Sequence, residues 1–207
     1  MIGVFGGTFD PVHLGHLRMA LEVQQALGLR EVRFIPCHCP PHRDPADAAA
    51  EDRLAMLRLA VDGQPGFVVD TREYDREGPS YTVDTLASLR QELPDESLCL
   101  MMGMDAFISL PGWSRWDRIL DFAHIVVFHR DGIGFLGLGP LVGFFSEHQV
   151  TDPVLLRDRS AGHIWVQDVT PLAISATAIR GELSRDRSVR YLVPDSVLAY
   201  IQSHEVY

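Results

Sequence analysis

The chain opens Met1-Ile2-Gly3-Val4-Phe5-Gly6-Gly7-Thr8-Phe9-Asp10-Pro11-Val12-His13-Leu14-Gly15-His16, and the reading of this stretch decides the fold. Met1 to Phe5 is an apolar run of strand length. Leu14 to Leu27 repeats apolar residues at helical spacing, with Leu14, Leu17, Leu21 and Val23 to Leu27 expected on the buried side, and Gly28 closes the helix. The same alternation continues outward. Strands are expected at Glu31 to Pro36, Phe67 to Asp70, Ser97 to Met102, His124 to Phe128 and His163 to Gln167. Helices are expected at Glu51 to Asp62, where Leu54, Leu57 and Val61 form a stripe, at Thr82 to Leu93, and briefly at Trp116 to Phe122.

Strands that are apolar almost throughout, rather than at every second position, are buried on both faces. That indicates an α/β fold with a doubly wound, Rossmann-like parallel sheet covered by helices on both sides. Ligands of such sheets sit at the carboxyl ends of the strands. Gly132 to Gly162 is Gly-rich and then polar, and is expected to be an irregular insertion. Beyond it, Ser175 looks like the cap of a further helix, Pro194 begins a last helix ending near Ser203, and residues 175–207 form a C-terminal helical part. No repeat or linker divides the chain, so residues 1–207 are read as one domain.

Composition narrows the chemistry. The 207 residues are 46% hydrophobic and 22% charged, as in a globular domain rather than a disordered chain. The net charge of −10 argues against nucleic acid or a membrane surface as partner, since both want a basic face. All eighteen basic residues are Arg, which removes Schiff-base lysines and the P-loop lysine. Three Cys are few and odd in number, as in a reducing compartment. The longest run without charge or His, Gly132 to Ser146, is too short to span a bilayer, and no signal peptide is visible. A cytoplasmic protein is expected. Nothing in the sequence sets an oligomeric state.

The sharpest constellation is Gly6-Gly7-Thr8-Phe9-Asp10-Pro11-Val12-His13-Leu14-Gly15-His16, at the first strand-to-helix junction. Two glycines let backbone approach a bulky anion, and the helix start supplies N–H groups with no intrahelical partner. His13 and His16, three apart, fall on one face and can donate to phosphate oxygens. The segment reads as a polyphosphate site. A tight turn with a helix cap, or a two-histidine metal pair, are the competing readings; no acidic third ligand stands nearby. A second constellation, Ser175, Thr177 and Arg180, would line one anion-facing helix end. Gly103 and Asp105 follow a strand, where a carboxylate can accept ribose hydroxyls or simply cap a helix. Thr82 opens a helix whose N–H groups could hold a carboxylate, and Trp113 offers either a stacking face or a core aromatic. Cys37, His38, Cys39 and His42 permit a metal reading, although C-x-C beside prolines matches no strong zinc spacing.

These segments resemble the nucleotidyltransferase superfamily with a T/H-x-G-H signature, here His13-Leu14-Gly15-His16, and within it the bacterial nicotinate-nucleotide adenylyltransferase family. Cys39 to Arg43, Pro79 to Leu86, Met102 to Asp105, Leu110 to Trp113 and Ile174 to Arg180 carry the likeness through most of the chain. The resemblance implies a nucleotidyltransferase-type fold. It also implies transfer of AMP from ATP to nicotinate mononucleotide, giving deamido-NAD and pyrophosphate, with Mg²⁺ carried by ATP and no dedicated carboxylate cage for a metal. It assigns ATP to Gly6, Gly7, Thr8, Phe9, His16, Gly103, Asp105, Ile174, Ser175, Thr177 and Arg180, with His13, His16 and Arg180 catalytic. It assigns the mononucleotide to His42, Arg43, Thr82, Val83, Trp113 and Ser114. Cys37-His38 departs from the family, which usually has Asn there, so contacts on the mononucleotide's phosphate side would fall to His42 and Arg43. The rival expectations are the same chemistry on nicotinamide mononucleotide or another phosphorylated acceptor such as phosphopantetheine, and a non-catalytic nucleotide-binding module.

Overall fold

A computed structural model describes residues 1–39, 46–129 and 139–207. Its sheet has six parallel strands: β1 (Ile2–Gly7), β2 (Glu31–Pro36), β3 (Phe67–Val69), β4 (Leu98–Gly103), β5 (His124–His129) and β6 (Ile164–Asp168). They run in the order β3-β2-β1-β4-β5-β6, so the winding reverses between β1 and β4. A crevice opens at such a reversal. Gly7 and Gly103 are the last residues of the two strands that border it.

The near-continuous apolar strands divide their side chains between two layers. Phe5, Val32, Phe34, Cys99, Met101, Val126 and Phe128 face a layer built with α1 (Leu14–Leu27), α2 (Ala50–Val61), α6 (Ala176–Leu183) and α7 (Asp195–His204). Ile2, Val4, Leu98, Leu100, Met102, Ile125 and Val127 face the other, with α3 (Thr82–Glu92), α4 (Met104–Ile108) and α5 (Pro140–His148). Successive residues along a strand alternate faces, so a run apolar at every position serves both layers. No helix among the described residues is long and apolar enough to cross a membrane.

Most expected elements recur within two residues of their expected ends, but three readings need correction. The buried stripe of α1 is Gly15, Met19, Ala20, Val23 and Leu27, whereas Leu14, Leu17 and Leu21 are half-buried and Gln25 and Ala26 exposed. In α2 the buried positions are Arg53, Met56, Leu57 and Val61, with Leu54 half-buried. Within Gly132 to Gly162, expected to be irregular, α5 and a 3-10 turn at Pro153–Arg157 are regular; residues 132–138 lie outside the described part. In α5, Leu141 is buried, and the Phe144 ring lies 4.9 Å from that of Trp116.

β5 starts at a fully buried histidine. His124 Nδ1 accepts the His163 N–H at 3.0 Å, which leaves Nε2–H to donate to the Arg159 carbonyl at 3.0 Å. Burial disfavours its cation and pulls its pKa from 6.5 down to about 4. The folded state therefore holds this imidazole neutral, and the unfolded chain takes up the proton first as pH falls. The stability so gained is present above the unfolded value and is lost between about pH 6.5 and 4, amounting to roughly 3 kcal/mol. His124→Leu is expected to lose about 3 kcal/mol less than wild type on acidification across that window, read from urea unfolding.

Candidate active site

At the crevice, β1 hands over to α1 through a loop with a tight internal logic. His13 is the N-cap of α1: its Nδ1 accepts the His16 N–H at 3.4 Å, and His16 Nδ1 accepts the His13 N–H at 3.3 Å. This is a capping box built from two imidazoles in place of a hydroxyl and a carboxylate. With Nδ1 as acceptor in each ring, the neutral tautomer of both carries its proton on Nε2. The rings stack at 3.7 Å with 24° between planes at the helix N-terminus, and in that tautomer each carries an Nε2–H donor. Phe9 packs edge-on against the His16 ring at 5.2 Å.

Gly15 makes that pairing possible. A Cβ there would lie 3.0 Å from His13 Nδ1 and 3.6 Å from Ile174 Cβ. Gly15→Ala is therefore expected to move the His13 ring by tenths of an ångström and lower kcat about tenfold while the melting temperature shifts by only a few degrees. Steady-state rates and a thermal melt on the same preparation check this.

The two glycines of the loop have separate roles. A Cβ on Gly6 would meet nothing within 4 Å, which leaves space for a ligand, whereas the space beside Gly7 is filled by the Phe9 ring, 3.2 Å from such a Cβ. Phe9 itself is 2% exposed and has φ of 49°, a left-handed backbone held by the packing of its ring. Any contact of Phe9 with a nucleotide is thus through backbone, and Thr8 is half-buried beside it.

The α6 cap sits next to this loop. Ile174 lies against Gly15, and Ser175 Oγ caps α6 by accepting the Ala178 N–H at 3.2 Å. Thr177 is exposed one turn into the helix. Arg180 reaches across to donate to the Asp10 carbonyl at 2.7 Å and pairs with the Asp47 carboxylate. The structure thus brings His13, His16, Ile174, Ser175 and Arg180 to one edge of the sheet. Gly103 ends β4 and caps α4, with exposed Asp105 in that helix's first turn, on the other side of the reversal.

The expected mononucleotide residues fall on two neighbouring segments. Thr82 and Val83 begin α3; Val83 is 4% exposed, so its side chain belongs to the core and its backbone is what a ligand could reach. Trp113, between the stacking and core readings, packs partly against the second layer, and the Ser114 hydroxyl sits beside Arg115. A bidentate pair from Arg115 to Asp84, at 2.9 and 2.8 Å, ties this segment to the first turn of α3. Arg115 holds the Asp84 carboxyl below the ordinary carboxylate range. His42 and Arg43 lie outside the described residues. The His38 ring stacks on Tyr74 at 4.7 Å, and burial, with Glu73 nearby, pushes the Cys37 thiol up to about 11.

Three residues that tie the site's segments together were not given that role in the sequence reading. Arg53 is 2% exposed and donates to the Thr8 and Cys37 carbonyls at 2.8 and 2.7 Å and to that of His38 at 3.4 Å, binding the loops after β1 and β2 together from below. Asp10, 6% exposed, accepts the Asp47 and Ala48 N–H groups at 2.9 and 3.2 Å, organising the chain that leads into α2. Tyr207, following α7, donates its phenol to Asp10 Oδ1 at 2.8 Å. Arginine in the buried stripe of a helix was the available signal for Arg53; for Tyr207, 197 residues from its partner, there was none.

A histidine-capped helix N-terminus with a guanidinium on the adjoining helix lies at the reversal of a nucleotidyltransferase-type Rossmann sheet, the place where such sheets take their ligands. Residues 4–182 match the cytidylyltransferase-like family model. The chain belongs to that family, on the branch of the nicotinate-nucleotide adenylyltransferases. A Methylococcus capsulatus protein named "probable nicotinate-nucleotide adenylyltransferase" is 52% identical, over all of this chain and 99% of that protein. An Aeromonas salmonicida protein of the same name is 50% identical over all of this chain and 96% of its own length. Among solved structures, the Plasmodium falciparum nicotinic acid mononucleotide adenylyltransferase complexed with NaAD superimposes with a TM-score of 0.73 at 14% identity, covering all of this chain and 96% of that one. At that identity the likeness speaks for the fold.

Proposed function

We propose that the protein transfers the AMP moiety of ATP to nicotinate mononucleotide, giving deamido-NAD and pyrophosphate, a step of NAD biosynthesis. The observation that carries the reading is the reciprocal His13–His16 cap, which fixes two Nε2–H donors beside the Arg180 helix. The full-length relatives that carry the same activity in their names support the choice of acceptor.

The acceptor's 5′-phosphate is already ionised, so no protein nucleophile is needed. It attacks the α-phosphorus of ATP in line, the bond to the bridging oxygen breaks, and pyrophosphate leaves. His13 and His16 donate to the phosphate oxygens where negative charge grows, and Arg180 faces them from the α6 side. Gly6 leaves room for the nucleotide backbone. The chain's contribution is therefore position and charge stabilisation rather than covalent chemistry. Thr82, Val83, Trp113 and Ser114 would hold the pyridine ring and its carboxylate, and His42 and Arg43 the mononucleotide phosphate. Gly103 and Asp105 would meet the ATP ribose.

A Mg²⁺ carried on the triphosphate fits these residues. Asp10, the buried carboxylate of the loop, is already engaged by two backbone N–H groups and a phenol. Such an ion would neutralise charge on the leaving pyrophosphate while keeping several waters.

Pyrophosphate release from ATP, measured with nicotinate mononucleotide, nicotinamide mononucleotide and phosphopantetheine in parallel, tests the proposal. The acid mononucleotide is expected to turn over fastest. Equal rates on acid and amide would contradict the acceptor assignment, and no release with any of them would contradict the transfer.

A further inference from the structure

Asp10 joins four separate parts of the chain. Its Oδ2 accepts the Asp47 N–H at 2.9 Å, and its Oδ1 accepts both the Ala48 N–H at 3.2 Å and the Tyr207 hydroxyl at 2.8 Å. Its backbone carbonyl takes Arg180 at 2.7 Å, while its carboxylate stays 3.8 Å from the same guanidinium. Arg180 is thus anchored to Asp10 through a neutral carbonyl; its ion pair with the Asp10 carboxylate is a loose one, and its close ion pair is with the exposed Asp47 carboxylate. A carboxylate with no other donors would close on the arginine and form the tight fork that the two groups prefer.

We infer that Tyr207 is a positioning residue for the nucleotide site: by holding Asp10 Oδ1, its hydroxyl keeps the Asp10 carboxylate from closing nearer than 3.8 Å to Arg180 and so leaves the guanidinium able to engage the triphosphate. The inference rests on Arg180 meeting the triphosphate and needs nothing about which acceptor is used. Asp10 is nearly buried, so its charge is weakly screened and its distribution between the two oxygens matters to a neighbour 3.8 Å away. Without the phenol, Oδ1 keeps one backbone donor, and the carboxylate satisfies its remaining capacity on Arg180. The arginine, which already pairs with the exposed Asp47 carboxylate, must then break a second close ion pair, with a nearly buried carboxylate, before it can reach a ligand. Tyr207 itself touches Asp10 rather than the nucleotide, so its effect passes through the arginine.

The test is a double-mutant cycle of Tyr207→Phe and Arg180→Met, read as the affinity for a non-hydrolysable ATP analogue by titration calorimetry and as steady-state constants for both substrates. Phenylalanine keeps the ring and its packing. Tyr207→Phe is expected to weaken the analogue about tenfold and raise KM for ATP, with KM for the mononucleotide within about twofold of wild type. In the Arg180→Met background the same change is expected to do nearly nothing, because the group it acts through is gone. An undiminished effect in that background, or an unchanged affinity in the single variant, would overturn the inference. If Arg180→Met by itself left analogue affinity intact, the premise that Arg180 meets the triphosphate would fall, and the inference with it. Analogue binding is independent of the acceptor, so a wrong acceptor assignment would show as absent turnover beside an intact binding cycle.

Discussion

His16→Ala is expected to lower the rate of pyrophosphate release by about 10²–10³, the usual cost of deleting one preorganised donor to developing charge. The ring has two functions in this structure. Its Nδ1 closes the capping box on the His13 N–H, and its ring, which carries the Nε2–H donor, stacks on that of His13 at 3.7 Å. Loss of the cap alone costs on the order of 1 kcal/mol of stability. That is a melting shift of several degrees, and it cannot account for a rate loss of that size in protein that remains folded at the assay temperature. Because His16 is an acceptor for His13, the neighbouring ring also loses part of its register, so the effect is expected to fall on kcat more than on KM for the mononucleotide. Single-turnover measurement with folded variant protein checks this, and a rate near wild type would remove His16 from the chemistry.

Arg53→Met is expected to produce the largest loss of stability among the substitutions considered, about 3 kcal/mol, together with higher KM for both substrates. The guanidinium is 2% exposed and spends its donors on backbone carbonyls of Thr8, Cys37 and His38. Among the described residues it makes no ion pair, and its Nε has no partner. Methionine keeps the apolar stem but leaves three carbonyls without their donor, two of them at 2.8 Å or less from it now. The loops after β1 and β2 then lose the tie that fixes their spacing across the crevice. Arg53→Lys keeps charge without the planar fork and is expected to recover part of the stability but not the spacing. Urea unfolding and KM values for the three proteins read both effects; equal stability of wild type and the Met variant would contradict the role given to Arg53.

The fold was legible because burial on both faces leaves a compositional trace. Val4-Phe5 and Ile125-Val126-Val127-Phe128 send alternate residues to opposite layers, and a strand of that kind has no polar position to confuse the reading. Helix ends were legible where a specific residue does the capping: Gly28 takes a left-handed φ of 59°, and Ser175 accepts a backbone N–H. α5 was missed because glycines at 132, 134, 137 and 139 precede it and blur a stripe of Leu141, Phe144, Phe145 and His148 that is helical in spacing. α4 has five residues, fewer than two turns, and shows no period at all.

The site was legible where its parts are contiguous. Gly6 to His16 and Ile174 to Arg180 each announce a capped helix start, which is what the structure shows there. What joins them was not, because the bonds run between distant residues: Arg180 to the Asp10 carbonyl, Tyr207 to the Asp10 carboxylate, Arg53 to Thr8 and Cys37. Asp10-Pro11 looks in sequence like a helix cap, yet the cap is His13, one turn's length further on, and Asp10 instead organises residues 47 and 48. Gly7 was read as making room for an anion, and the room proves to hold Phe9.

The central claim is that one triphosphate lies between the His13–His16 pair and Arg180. Nitrogen-15 NMR of the histidine and arginine side chains during titration with a non-hydrolysable ATP analogue tests it most directly. The Nε2 signals of His13 and His16 and the Arg180 guanidinium signal are expected to shift together and saturate at the same analogue concentration. Saturable binding of the analogue with all three signals unmoved would contradict the account.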